Sequence, residues 1–439
     1  KGFRQWVNSK RADPHAQARV DFENELSSIP CREGALVGGS ILIDATWDNP
    51  NYWLRVRLLL AAIGTDGSRC EGVLGEFRVP EQRGTLQRMG VTRFHSLADS
   101  SKLSSFEVQA DALLKEIEKE TDILSWSLPC QIPGGLIYDY IVKRQNHAFV
   151  QLGDPRLRTW IAEMLQSAQA AREAIERESP GLIIRSHSVG LCGVLAWVGL
   201  QAGVRVIMPH GAFGLCRFWS LEKPEHFFKF YERIPLAERE TISNTKRGKL
   251  ENLGEEKFQA RVSGASSDVG AIYAYRKPDQ TITRESLCKH FDWNPTKPIV
   301  GVFSSCWSDY PHLFGMDNFL NFHELIQATI RVASNKPDCN WLFKAHPCES
   351  WYDGVRMADL FQFDEYPHVR QSNLWWSGVD VLNAVDSVVT CHGTVGVEAA
   401  VLGKPVLMAE RGWYDEADIA HRANSRSDYG QLLGEYWPS

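Results

Sequence analysis

Apolar positions in this chain alternate between short β-branched runs and longer stretches with one apolar face, and the alternation gives a strand–helix–strand rhythm. It is clearest in Asp386 to Met408, DSVVTCHGTVGVEAAVLGKPVLM. Val388-Val389-Thr390 reads as a strand ending at Cys391-His392-Gly393. Thr394 to Gly403 carries helix formers closed by Gly403 and Lys404-Pro405, and Val406-Leu407-Met408 starts another buried strand. Two strands joined by one short helix make a right-handed βαβ unit. The Gly393-Thr394 turn therefore falls at the carboxyl edge of a parallel sheet, where open α/β folds take their ligands.

The rhythm runs through the whole chain. Residues 1–33 are polar and read as an irregular leading arm. A strand at Ala35–Asp44, the amphipathic helix Tyr52–Ile63 and a strand at Glu71–Phe77 open a first Rossmann-like domain, expected over 34–275. Helices Phe106–Thr121 and Arg156–Ser179 are interleaved with the apolar run Leu136–Val142. A second βαβ follows: strand Leu182–Arg185, helix Leu191–Ala202 and strand Val204–Met208. It places His187 and His210 just past two neighbouring strand ends. Residues 216–270 are charged and read as an irregular or helical excursion over an acceptor site, helix-like around Leu236–Ser243. The proline-bearing run 276–298 reads as a linker.

The pattern then restarts. Strand Pro298–Phe303 leads into Ser304-Ser305-Cys306-Trp307-Ser308-Asp309, a helix near Asn318–Ser334 follows, and strand Asn340–Lys344 ends in Ala345-His346-Pro347. A short strand at Val369–Gln371 and a helix at Gly378–Ala384 complete a second domain over 299–425. The tail 426–439 is left free to cross back to the first. Asp309, His346 and Gly393-Thr394 all fall at carboxyl strand ends of one sheet, a convergence that a core alone does not need. Taken singly, each has a plainer reading: Asp309 as a turn residue, His346-Pro347 as a strand terminator, Lys344 as an outward strand residue and Thr394 as a helix cap.

Composition narrows the chemistry. At 439 residues, two domains are expected, and 44% hydrophobic with 23% charged content is that of a globular protein. A net charge of −6 makes nucleic acid an improbable partner. The ten cysteines form no CxxC pair, which argues for reduced thiols in a cytoplasmic setting and against zinc or a disulfide frame. The most apolar stretch, Gly193–Met208, is broken by Gln201 and Arg205 and cannot span a bilayer. The chain begins at Lys1, as an excised segment would, so a missing targeting signal weighs little.

The turn at Gly393-Thr394 suits an anion: amides at a helix start, the Thr394 hydroxyl and two small residues, Gly393 and Gly396, leave room for a phosphate, while Glu398 can reach sugar hydroxyls. WLFKAHP at 341–347 followed by DSVVTCHGTVGVEAAVLGKPVLMAERGWY resembles the GT-B bacterial capsule and O-antigen polysaccharide transferases, whose HP motif and later Ser/Thr-Gly element hold a cytidine nucleotide. FSSCWSDYPHLFGMDNF looks most like the retaining β-Kdo transferases, although a serine stands between Trp307 and Asp309 where those relatives have Trp-Asp directly.

The resemblance implies an α/β GT-B-like fold, two Rossmann-like domains facing a central cleft, and transfer of Kdo from CMP-Kdo to a surface polysaccharide or glycolipid. It also implies work in the cytoplasm or peripherally at the inner membrane face, alone or beside other transferase modules. Asp309 would be the nucleophile if configuration is retained; if it is inverted, His187 would act as base, with His210 grouped with it. Ser304, Ser305, Lys344, His346, Pro347, Gly393, Thr394, Glu398 and Arg411 make up the expected nucleotide site. No metal or other cofactor is expected, since no acidic pair has metal-binding spacing. A sialic acid or glycerol phosphate transferase, a UDP-sugar epimerase and a non-catalytic module remain the alternatives.

Overall fold

The computed structural model describes residues 16–33, 38–65, 67–75, 79–126, 128–210, 216–229, 239–265, 269–275, 281–351 and 353–435. The chain divides into two compact units. The first comprises residues up to 104 with 129–131 and 163–224; the second comprises 105–128, 132–162 and everything from 225 onward. Two early segments, 105–128 and 132–162, thus group with the later part of the chain.

The first unit holds strands β1 Ile41–Ala45, β2 Cys70–Leu74, β3 Arg93–Ser96, β4 Leu182–Ile184, β5 Val206–His210 and β6 Arg217–Leu221, in the order β3-β2-β1-β4-β5-β6. All neighbours are parallel except β5 and β6. The second unit holds β7 Ile299–Phe303, β8 Asn340–Lys344, β9 Val369–Gln371, β10 Ser387–Thr390, β11 Val406–Met408 and β12 His421–Arg422. Its order is β12-β11-β10-β7-β8-β9, parallel throughout. Counted from the first strand of each unit, both sheets read 3-2-1-4-5-6, the Rossmann order. The α/β class with two Rossmann-like sheets is as expected.

Parallel strands covered on both faces read as unbroken apolar runs, and β7, β8 and β10 are buried along their whole length. One face of the second sheet packs on the helix Phe322–Ser334 through Phe322, Leu325 and Ile326; the other packs on the helices Arg284–Phe291 and Gly378–Ala384 through Leu287, Val381 and Leu382. Gly301 in β7 is required by close packing, since a Cβ there would meet Phe303 at 3.0 Å and Val385 at 3.1 Å.

Several expectations are corrected. The leading arm contains the helix Ala16–Ser28, with Leu26 buried against the first sheet. Of the two readings of 216–270, the described residues follow the helical one: they supply β6 and the 19-residue helix Asn244–Val262, capped by the Ser243 hydroxyl. That helix buries no residue, which is why hydrophobic periodicity did not reveal it. Of the helix-like Leu236–Ser243, residues 236–238 lie outside the described residues, and 239–240 are helical. The 276–298 run contains the helix Arg284–Phe291, tied to the sheet by Arg284, whose Nη1 donates to Asp386 at 2.7 Å. Residues 426–435 are helical and bury Tyr429 and Leu433 in the second unit's core rather than crossing back. The apolar run Leu136–Val142 belongs to the helix Gly134–Gln145. Among the described residues, no helix is long and apolar enough to cross a membrane.

Candidate functional site

Because β8, β7 and β10 are adjacent and parallel, the segments leaving their carboxyl ends share one edge of the second sheet. Ser304 and Ser305 follow β7, His346 and Pro347 follow β8, and Gly393 and Thr394 follow β10. The structure thus brings together the sequence-predicted nucleotide residues of all three strands.

His346 is half-buried, and its Nδ1 accepts the Cys348 amide at 3.2 Å, which leaves the ring hydrogen on Nε2. Loss of hydration, reinforced by the charge of Lys344, lowers its pKa to about 4. At neutral pH the ring is therefore an uncharged donor. Ser304 is buried, and its hydroxyl has no hydrogen-bond partner among the described residues; the same holds for the Ser372 and Ser377 hydroxyls, which flank the turn after β9. Unpaired buried hydroxyls are costly and recur where a ligand supplies the missing partner.

Lys344 lies near enough for its charge to act on His346, and its ammonium is held by backbone carbonyls. Its buried side chain turns under the same turn, and Nζ donates to the carbonyls of Trp376 at 2.9 Å and Leu374 at 3.4 Å. The cation at the Thr394 turn is Arg261, from the end of the helix Asn244–Val262. Its Nη2 donates to Thr394 Oγ1 at 3.3 Å, and its Nε pairs with Glu398. Glu398 is buried beneath this contact, so the carboxylate expected to meet a ribose is committed to the arginine. Arg411 pairs with Asp317 through an exposed ion pair.

Thr394 is exposed, and its side chain makes no cap bond. Packing requires Gly396: a Cβ there would lie 2.1 Å from the Tyr414 hydroxyl, which donates to the Gly393 carbonyl at 2.7 Å. Tyr414 thereby sets the turn's shape from below.

Asp309 follows β7 on a turn pinned from both sides. Trp307 is buried and donates its indole N–H to Glu349 at 2.8 Å. The interposed Ser308 is also buried, turned toward Asn146, while Asp309 is exposed. The extra serine therefore points inward and leaves the aspartate presented to solvent. Crowding by protein raises the Asp309 pKa, Lys143 opposes this and Asp139 adds to it. Since the carboxylate is exposed, its placement carries more weight than this shift.

Asp139, Lys143, His312 and Arg261 were not singled out from sequence. Asp139 had a signal, a lone acid within the apolar run Leu136–Val142; Arg261 is one of several charges on a helix that buries no residue and had none.

His187 and His210 stand at the ends of the adjacent strands β4 and β5 in the first unit. His187 Nδ1 accepts the Ser188 amide at 2.8 Å, and burial lowers its pKa to about 4, with Arg185 and His210 acting in the same direction. Its ring meets Trp47 edge-on, and His210 stacks on Trp219. Beneath them, the buried Asp44 accepts from the backbone and hydroxyl groups of both Thr46 and Ser186, fixing the turn that carries His187. Among the described residues, one group, Glu71, His95 and Glu178, brings three metal-type ligand atoms within 4.8 Å of one another. Arg93 pairs with both glutamates and Arg177 reaches His95 Nδ1 at 2.6 Å, so the cluster reads as a charge-balanced network.

No protein-family model matches the chain, and no curated protein matches it significantly in sequence. Among solved structures it is similar to the β-Kdo 2,4 transferase of Thermosulfurimonas dismutans KpsC, at 12% identity over 58% of this chain and 79% of that one, with a TM-score of 0.38. The β-Kdo 2,7 transferase of the same protein gives 15% identity, 61% and 79% coverage and a TM-score of 0.35. The UDP-GlcNAc 2-epimerase of Neisseria meningitidis gives 10% identity, 90% and 91% coverage and a TM-score of 0.27. At TM-scores below 0.5 these likenesses carry no argument about what this chain does.

Proposed function

We propose that the chain is a glycosyltransferase that takes a sugar from a cytidine monophosphate donor, Kdo from CMP-Kdo being the reading its motifs support best, and passes it to a polysaccharide or glycolipid hydroxyl. The observation that carries the proposal is the shared edge of β8, β7 and β10, where an uncharged His346 Nε2–H, the unpaired Ser304 hydroxyl, Thr394 and the guanidinium of Arg261 come from four separate stretches of chain. A leaving nucleotide monophosphate gathers negative charge on its phosphate, and preorganised donors beside an arginine are suited to receive it.

In this reading Asp309 attacks the anomeric carbon. The bond from that carbon to the phosphate oxygen breaks, and its electron pair leaves with CMP. The acceptor hydroxyl then attacks the same carbon, the aspartyl ester bond breaks, and the hydroxyl proton passes to a base. Configuration is retained overall.

The test is intact-mass analysis after incubation with CMP-Kdo, together with thermal shifts by CMP and UDP. CMP and not UDP should raise the melting temperature, and the wild-type chain should gain one Kdo mass that Asp309→Asn does not gain while still responding to CMP. Stabilisation by UDP alone would favour an epimerase, and no response to either nucleotide would discard the site.

A further inference from the structure

We propose that Asp139 and His312 form a positioning pair that sets the turn bearing Asp309, so that the reach of the reactive carboxylate is fixed from the helix Gly134–Gln145. The inference rests on the reading of Asp309 given above. Asp139 is wholly buried, and three donors converge on it: the Leu313 amide at 2.9 Å, the His312 amide at 3.2 Å and His312 Nδ1 at 2.8 Å. A carboxylate taken out of water to grip one short segment is a poor device for bulk stability, since apolar packing would do that work at lower cost. It is a good device for fixing a backbone position.

The segment it grips needs fixing. Tyr310, between Asp309 and Pro311, has a φ of 51°, a left-handed conformation that side-chain-bearing residues hold only when their surroundings impose it. The chain then folds back on itself, with Phe314, Gly315 and Met316 amides bonded to the carbonyls of Tyr310, His312 and Pro311. Lys143, one turn along the helix from Asp139, lies over the Tyr310 ring at 5.5 Å. The helix comes this close because Gly135 has no side chain: a Cβ there would meet the His312 Cβ at 3.1 Å. His312 Nδ1 gives its hydrogen to Asp139, and its buried Nε2 has no partner among the described residues, so among them the ring's one hydrogen bond is that to Asp139, beside an edge-on contact with Tyr138.

The experiment compares Asp139→Asn, His312→Ala and His312→Asn in the full chain. An asparagine at 312 keeps an N–H near the place of Nδ1 and has nothing at Nε2. With CMP-Kdo and an acceptor glycan, Asp139→Asn and His312→Ala should lower kcat about 10- to 100-fold, the size of loss a misplaced reacting group causes. CMP affinity should stay within about twofold, and His312→Asn should recover most of the rate. Wild-type kcat in Asp139→Asn would overturn the proposal. So would a His312→Asn enzyme as slow as His312→Ala, which would mean that Nε2 itself does chemistry.

Amide hydrogen exchange gives a reading that needs no substrate. The His312 and Leu313 amides should exchange at least tenfold faster in Asp139→Asn than in the wild type, and unchanged rates would sink the idea even if the reaction were of another kind. Conversely, a wild-type chain inert toward CMP-Kdo whose amides behave as expected would remove the proposed reaction and leave the positioning pair standing.

Discussion

Three histidines, His187, His346 and His392, sit where burial drives the pKa down to about 4. In the unfolded chain each would titrate near 6.5. Between those values the unfolded chain binds protons that the folded chain refuses, so their contribution to stability is complete above about pH 6.5 and is lost as the pH falls toward 4. Glu410 opposes this. Burial raises its carboxyl to about 7 despite three backbone amides that favour the ion, so its share of stability declines as the pH rises from the ordinary carboxylate range to 7. Acidification from pH 6.5 to 5.5 should therefore lower the urea midpoint less in His392→Gln than in the wild type; an equal pH dependence of the two would contradict the assignment of His392. A second expectation belongs to Gly396. Its alanine variant drives a methyl group into the Tyr414 hydroxyl and should cost about 1–3 kcal/mol, much of it returned when Tyr414→Phe removes the oxygen. Denaturant titration of the two single variants and the double variant would show the coupling.

At the level of elements, what sequence disclosed and what it hid follow one physical line. β8, β9, β11 and the helix Gly378–Ala384 match their sequence expectations residue for residue, because each sets apolar residues in the core and its composition answers to it. The helix Asn244–Val262 has no buried face, hence no period to detect, yet it delivers Arg261 to Thr394 and Glu398. The placement of His346, Ser304 and Thr394 after strand ends was legible because a strand end announces itself by a change from apolar to polar. The diversion of Lys344 to the carbonyls of Leu374 and Trp376 was not, since a turn's path after β9 is set by tertiary contact. Arg261→Met should therefore weaken CMP binding at least tenfold, as the loss of a charged hydrogen-bond donor would. Lys344→Met should act mainly on stability, by freeing that turn. Isothermal titration paired with thermal melts separates the two.

For the molecule as a whole, the division into two units predicts a calorimetric signature. If CMP binds at the β8-β7-β10 edge, it should raise only the transition belonging to the second unit, by about 2.7 kcal/mol at a concentration one hundred times its Kd, and leave the other in place; equal shifts in both would mean that the units melt as one or that the nucleotide binds elsewhere. The second unit is also discontinuous, and that has a cost during synthesis. Asp139 and Leu313 are 174 residues apart, so at about 5–20 residues per second the ribosome needs roughly 9–35 s to make the partner after the helix has emerged. For that interval Leu136, Ile137 and Ile141, which end in the interior, have the neighbouring 120–125 segment beside them but not the later segment that Asp139 holds. The nascent chain should be a client of trigger-factor-like holdases at this one early helix, and slowing elongation beyond it should lower the yield of native protein.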